Sequence, residues 1–146
     1  MKLDEILKAK GKTVYTIGPE ATLQDVVRTL AEHNVGSLLV YEQADEAEGK
    51  PVGIITERDI LHACAAGRDP LAEAKVADIM SSDLLTGSPD DAVENVMGLM
   101  TSKRIRHLPV LSQGKLVGMV SIGDVVKAQH DRLAMENRFM KDYIQS

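Results

Sequence analysis

One eight-residue pattern occurs twice in this chain, and the repetition constrains the fold more than any other feature. The first copy is Gly53-Ile54-Ile55-Thr56-Glu57-Arg58-Asp59-Ile60, and the second is Gly118-Met119-Val120-Ser121-Ile122-Gly123-Asp124-Val125. Each reads glycine, two aliphatics, a hydroxyl residue, two variable positions, an aspartate and an aliphatic. Paired aliphatics suit the end of a buried strand. A hydroxyl followed three residues later by an acid is a helix start signal, since each side chain can satisfy a backbone N–H of the first turn. Each copy therefore predicts a strand running straight into a helix. The free N–H groups and dipole at such a junction favour an anion.

The flanking segments repeat as well. Leu3–Lys8 reads as a short helix ending near Gly11, and Val76–Met80 echoes it. Thr13–Ile17 reads as a short strand, echoed by Leu84-Leu85-Thr86. Gly18-Pro19 stops that strand, with Pro19 suited to a first helical position. Leu23, Val26, Val27 and Leu30 form an apolar face at helical spacing, matched by Val93, Val96, Met97 and Met100. Thr22-x-x-Asp25 reads as a cap only. Ser37–Tyr41 is a strand, echoed by Leu108–Leu111. Thr16 and Thr86, like Leu30 and Met100, stand 70 residues apart, whereas Gly53 and Gly118 stand 65 apart. The difference falls in a hairpin loop, where insertions are tolerated: an acidic Gln43–Lys50 against the short Ser112-Gln113-Gly114. Arg68–Lys75 reads as a linker, broken at Asp69-Pro70.

The chain thus predicts two β-α-β-β-α repeats in an α/β (α+β) fold, one spanning residues 1–72 with the N-terminal helix and the other residues 73–146. Neither half buries much alone, so the repeats are expected to pack with pseudo-twofold symmetry. The last helix outruns its counterpart. Its interrupted stripe of Val125, Val126, Gln129, Leu133, Met140 and Ile144 is expected to pack on the domain or on a second subunit.

Composition narrows the function. A net charge of −5 argues against a nucleic-acid surface, which needs a basic face. Three tyrosines, one phenylalanine and no tryptophan offer little for base stacking. No apolar run is long enough to span a bilayer, and the N-terminus does not read as a signal peptide. Cys64 stands alone, which excludes an internal disulfide and fits a reducing cytoplasm; it reads as a small buried hydrophobe. His33, His62, His107 and His130 show no metal-ligand spacing, so no metal is expected. No nucleophile–base pair is evident, and catalysis is not expected.

The duplicated unit, the Gly-x-x-Thr/Ser-x-x-Asp signature and Arg104-Ile105-Arg106-His107-Leu108-Pro109-Val110 resemble a tandem cystathionine-β-synthase (CBS) domain pair over essentially the whole chain. The resemblance implies a pseudo-symmetric pair, often dimerised into a flat disc, that senses AMP, ADP, ATP, NAD or S-adenosylmethionine in clefts between the repeats. AMP is the first expectation. It implies ligand-binding roles in these clefts for Thr16, Val35, Gly36, Ser37, Thr56, Arg58 and Asp59 of the first repeat and for Thr86, Ile105, Arg106, His107, Pro109, Ser121, Gly123 and Asp124 of the second, and leaves open which cleft each cation reaches. The residue chemistry agrees. Asp59 and Asp124 can accept both ribose hydroxyls. Thr56 and Ser121 stand at helix starts, where phosphate is welcome. Strand-end aliphatics can line a slot for the base.

The copies differ in cations. Val35-Gly36-Ser37 replaces Ile105-Arg106-His107, and Gly123 replaces Arg58. One good site and one weaker or differently selective site are therefore expected. Both signatures also read as plain capping boxes. The competing reading is accordingly a dimerising adaptor with vestigial clefts. Either way a homodimer and a separate effector protein are the partners expected.

Overall fold

The computed structural model describes residues 1–42, 51–67 and 69–145. The Gln43–Lys50 loop and Arg68 lie outside them. Two compact units emerge, Val14–Leu84 and Met1–Thr13 with Leu85–Ser146.

In the first unit, β1 (Thr16–Ile17) pairs in parallel with β2 (Ser37–Tyr41), which pairs antiparallel with β3 (Pro51–Thr56). Helix α2 (Leu23–His33) follows β1, and α3 (Glu57–Ala65) grows directly from β3. The start of α2 is Leu23, with Thr22 and Asp25 forming a reciprocal capping box. Pro19 is not its first residue, as the sequence had implied, because the Thr22 cap outcompetes it. Asn34 ends α2 in the left-handed region (φ 52°). The core is Leu23, Val26, Leu30, Leu38, Val40, Ile55 and Val76. The expected 68–75 linker contains a turn of helix, α4 (Pro70–Glu73), whose Leu71 packs on this core. Pro70 supplies the start that Asp69-Pro70 was expected to break. Then α5 (Val76–Ile79) buries Val76 completely.

The second unit repeats this plan with α6 (Val93–Lys103), β4 (His107–Ser112), β5 (Lys115–Ser121) and α7 (Ile122–Gln145). Its core is Leu3, Ile6, Leu7, Val93, Val96, Met100, Leu108, Val110, Val120 and Val125. Arg104 takes the place of Asn34 in the left-handed region (φ 56°). The expected strand at Leu84-Leu85-Thr86 is absent; only Gly87 bridges Val110. The cause is chemical. In the first unit the Leu39 N–H donates to the Tyr15 carbonyl at 3.1 Å. Pro109 stands in the matching position and has no N–H to give to Leu85.

The opening helix α1 (Leu3–Lys10) packs on the second repeat, not within residues 1–72. Its docking copies that of α5 on the first repeat. Lys2 bridges Ala92 as Lys75 bridges Thr22. The Leu3 and Asp4 N–H groups donate to Asp91 and Pro89 at 3.0 Å; those of Val76 and Ala77 donate to Ala21 and Pro19 at 2.9 Å. Each repeat is thus completed by an arm from the segment preceding the other. The arms explain the glycine that opens each motif. A Cβ on Gly118 would fall 2.6 Å from Leu7, and one on Gly53 would fall 2.6 Å from Met80 Sδ.

Of the two packings expected for the last helix, the one on its own domain is not found. Val125 is buried, but Val126, Leu133, Met140 and Ile144 are exposed, as are Met135, Phe139 and Tyr143. The stripe does not pack on its own domain, because the helix outruns the sheet beneath it. Cys64 is exposed too, since α3 turns Ile60 and Ala63 toward the core instead.

Gly53→Ala should cost about 1–3 kcal/mol by overpacking, and Gly118→Ala less. The Gly53 Cβ also meets the Ser81 backbone carbonyl at 2.9 Å, whereas that of Gly118 meets only the flexible Leu7 side chain. Urea unfolding of the two variants checks this; equal losses would contradict it.

Candidate functional site

Each repeat brings its signature residues together where a strand becomes a helix. Ser37 stands directly opposite Thr56 across β2–β3, and His107 opposite Ser121 across β4–β5. The first N–H of α3, from Glu57, donates to Gly36 O at 3.1 Å; that of α7, from Ile122, donates to Arg106 O at 2.8 Å. Val35-Gly36-Ser37 and Ile105-Arg106-His107 are therefore held against the two helix starts.

The first-turn hydrogen bonds follow one scheme. Thr56 Oγ1 accepts the Asp59 N–H at 3.3 Å, and Asp59 Oδ2 accepts the Thr56 N–H at 2.9 Å. Ser121 Oγ accepts the Asp124 N–H at 3.1 Å, and Asp124 Oδ2 accepts the Ser121 N–H at 2.8 Å. Both signatures are therefore capping boxes. Yet each box uses only Oδ2. Among the described residues, Oδ1 of Asp59 and of Asp124 has no hydrogen-bond partner. The scheme also satisfies the first and third helical N–H groups and leaves the second, of Arg58 and Gly123, to a ligand or to water.

The remaining predicted residues fall into three groups. Arg58 and Arg106 are exposed and form no ion pair among the described residues. Val35 and Ile105 pack on their own cores, and Pro109 is buried in β4 opposite Met119. Thr16 is half-buried in β1, in register with Leu39, whereas Thr86 is exposed beside the Gly87 bridge.

The two helix starts differ in charge. A Cβ on Gly36 would lie 3.7 Å from the Glu57 carboxylate, so that acid sits over the first site. Ile122 replaces it in the second. Among the described residues the exposed Arg58 pairs with neither Glu57 nor Asp59. At the second start Asp124 is paired with a residue that sequence reasoning missed. Lys10 Nζ, at the end of α1, donates to Asp124 Oδ2 at 2.6 Å and to Met119 O at 3.0 Å. Its partner lies 114 residues away, and α1 had been assigned to the other repeat. The one available signal was a lysine just before Gly11, the helix stop. A groove of about 270 Å³ opens beside this pair, lined by Ile6, Ala9, Lys127 and Ala128 among others. Burial pushes the Asp124 carboxyl up, but the Lys10 and Ser121 hydrogen bonds outweigh it and hold the group below its ordinary range. Among the described residues no three metal-ligating side chains converge, and no helix is long and apolar enough to cross a membrane.

The CBS domain family matches residues 11–66 and 76–131. The chain belongs to the CBS-domain family. Its repeats form a CBS pair, which is a regulatory module. A mitochondrial CBS domain-containing protein of Arabidopsis thaliana is 36% identical over 149 residues, covering 98% of this chain and 71% of its own. A CBS-domain protein of Agrobacterium tumefaciens has a similar crystal structure, with a TM-score of 0.81 and 33% identity over 88% of this chain and 99% of that one. The CBS pair of protein MJ0100, solved with 5′-methylthioadenosine and S-adenosylmethionine, has a TM-score of 0.75 at 25% identity, covering 90% of this chain and 98% of that one.

Asp124→Asn should lower stability by about 1 kcal/mol at neutral pH, through loss of a negative charge at a helix N-terminus and of the ion pair with Lys10. The folded carboxyl is the more acidic, so the unfolded chain holds the extra proton in the acid range. The contribution of Asp124 is therefore full above about pH 4 and lost as pH falls through the folded-state value. Urea unfolding between pH 3 and 7 should show wild type and variant converging in acid. A gap independent of pH would contradict this.

Proposed function

We propose that the two helix starts are ribose-and-phosphate sites and that the chain senses an adenosine compound, AMP foremost. ADP, ATP, NAD and S-adenosylmethionine are the other candidates. The observation that carries this reading is the division of labour within each aspartate. A carboxylate devoted wholly to capping would have nothing left for a ligand. Asp59 and Asp124 each cap with Oδ2 and keep Oδ1 for a ribose hydroxyl. Beside them the N–H groups of Arg58 and Gly123 await an acceptor such as a phosphate oxygen. The adenosine ligands of the MJ0100 pair support the same ligand class. The charge contrast supports unequal sites: the second start, with Lys10 and Arg106, suits a phosphate better than the first, where Glu57 adds an anion.

Occupancy would be relayed to a separate effector protein or within a homodimer. The exposed apolar residues of α7, Phe139 at 70% and Tyr143 at 81%, support self-association. They also favour the second reading, a ligand-independent adaptor. The reducing cytoplasm read from the lone Cys64 remains part of the proposal.

A thermal-shift and calorimetry series with AMP, ADP, ATP, NAD and S-adenosylmethionine separates the readings. A true ligand at 100 times its Kd adds about 2.7 kcal/mol. That should raise Tm by several degrees. Asp59→Ala with Asp124→Ala should abolish the shift. A chain that dimerises but responds to none of these compounds would support the adaptor instead.

A further inference from the structure

Comparing the two arms identifies what is particular about Lys10. In the first repeat, the arm ends its helix at Ile79, and the Ser81 N–H donates to the edge carbonyl of Ile54 at 2.9 Å. In the second, α1 runs one turn longer, to Lys10. The carbonyl of Met119, the counterpart of Ile54, receives the Lys10 ammonium at 3.0 Å in place of a backbone N–H. A backbone N–H serves one acceptor and carries no charge. The ammonium has three protons, and it spends another on Asp124 Oδ2 at 2.6 Å. Among the described residues no ion pair forms at Asp59. The pair is only partly exposed, with side-chain accessibilities of 37% for Lys10 and 25% for Asp124. It also borders the α1–α7 groove, whose second lysine is Lys127.

We infer that Lys10 is a specificity-determining residue that makes the second repeat select phosphorylated ribosides over uncharged ones. The inference rests on the reading that Asp124 receives a ribose. A ribose diol that places one hydroxyl on Asp124 Oδ1 and the other on Oδ2 competes with the ammonium for Oδ2. An uncharged nucleoside offers the displaced ammonium nothing in return. A nucleoside monophosphate offers its phosphate. The Gly123 N–H, where that phosphate would bind, belongs to the residue next to Asp124, so a flexible lysine stem can transfer its charge without leaving the groove. Lys10 therefore penalises adenosine and is neutral or favourable toward AMP. The first repeat has no such device and should discriminate less.

The test is calorimetric titration of the full chain with AMP and with adenosine, in an Asp59→Ala background that leaves the second carboxylate alone. Lys10→Met should tighten adenosine and leave AMP unchanged or weaker. The preference for AMP over adenosine should fall on the order of five-fold, as expected for losing a partly exposed ion pair. Lys10→Arg, which keeps the charge, should preserve the preference. Circular dichroism and urea unfolding of each variant check that the overall fold is retained. An unchanged AMP-to-adenosine ratio in Lys10→Met would overturn this inference while leaving the adenosine-sensing proposal standing. If neither compound binds the Asp59→Ala chain, with or without Lys10, both fall for the second repeat.

Discussion

A helix that starts directly from a strand has to satisfy its first N–H groups within a few residues, and the rest of this molecule is arranged around how that is done. The first N–H goes to a carbonyl from the neighbouring strand's approach, Gly36 or Arg106. The third goes to the Thr56 or Ser121 hydroxyl, and the aspartate returns one oxygen to the cap N–H. This fixes the aspartate side chain through one of its two oxygens. Capping and binding are therefore complementary here: the cap holds the carboxylate in place, and the unused oxygen and second N–H are what a riboside could use.

Exchange of arms makes two small repeats viable. Leu3 and Val76 are both fully buried, each in the core of the repeat it does not precede directly. The exchange also carries a difference in charge. The arms dock with matching hydrogen bonds at their starts but end differently, and that one extra turn places a cation on one aspartate only. An asymmetry legible in the sequence as Arg58 against Gly123 and Ser37 against His107 thus gains a contribution from outside both motifs.

Much of the fold could be read from the chain because its signals are local and stated twice. The strand-to-helix junctions, the Thr22 cap and the Gly11 stop all depend on residues within four positions. What escaped depends on distant partners. Leu84–Thr86 has strand-forming residues, but its ladder needs an N–H that Pro109 lacks. Residues 1–10 look like the start of the first repeat, but Leu3, Ile6 and Leu7 find their apolar surface in the second. For the same reason Lys10 was missed. Val35, Ile105 and Pro109 belong to the recognised motif, yet they are largely committed to packing, whereas Arg58 and Arg106 are exposed.

The most direct test of the central claim, that these helix starts hold a nucleotide, is titration of the uniformly ¹⁵N-labelled chain with AMP followed by NMR. The account predicts saturable amide shifts centred on Thr56–Asp59 and Ser121–Asp124, with Arg58 and Gly123 among the largest. AMP that perturbs neither helix start, or only the exposed length of α7, would contradict it.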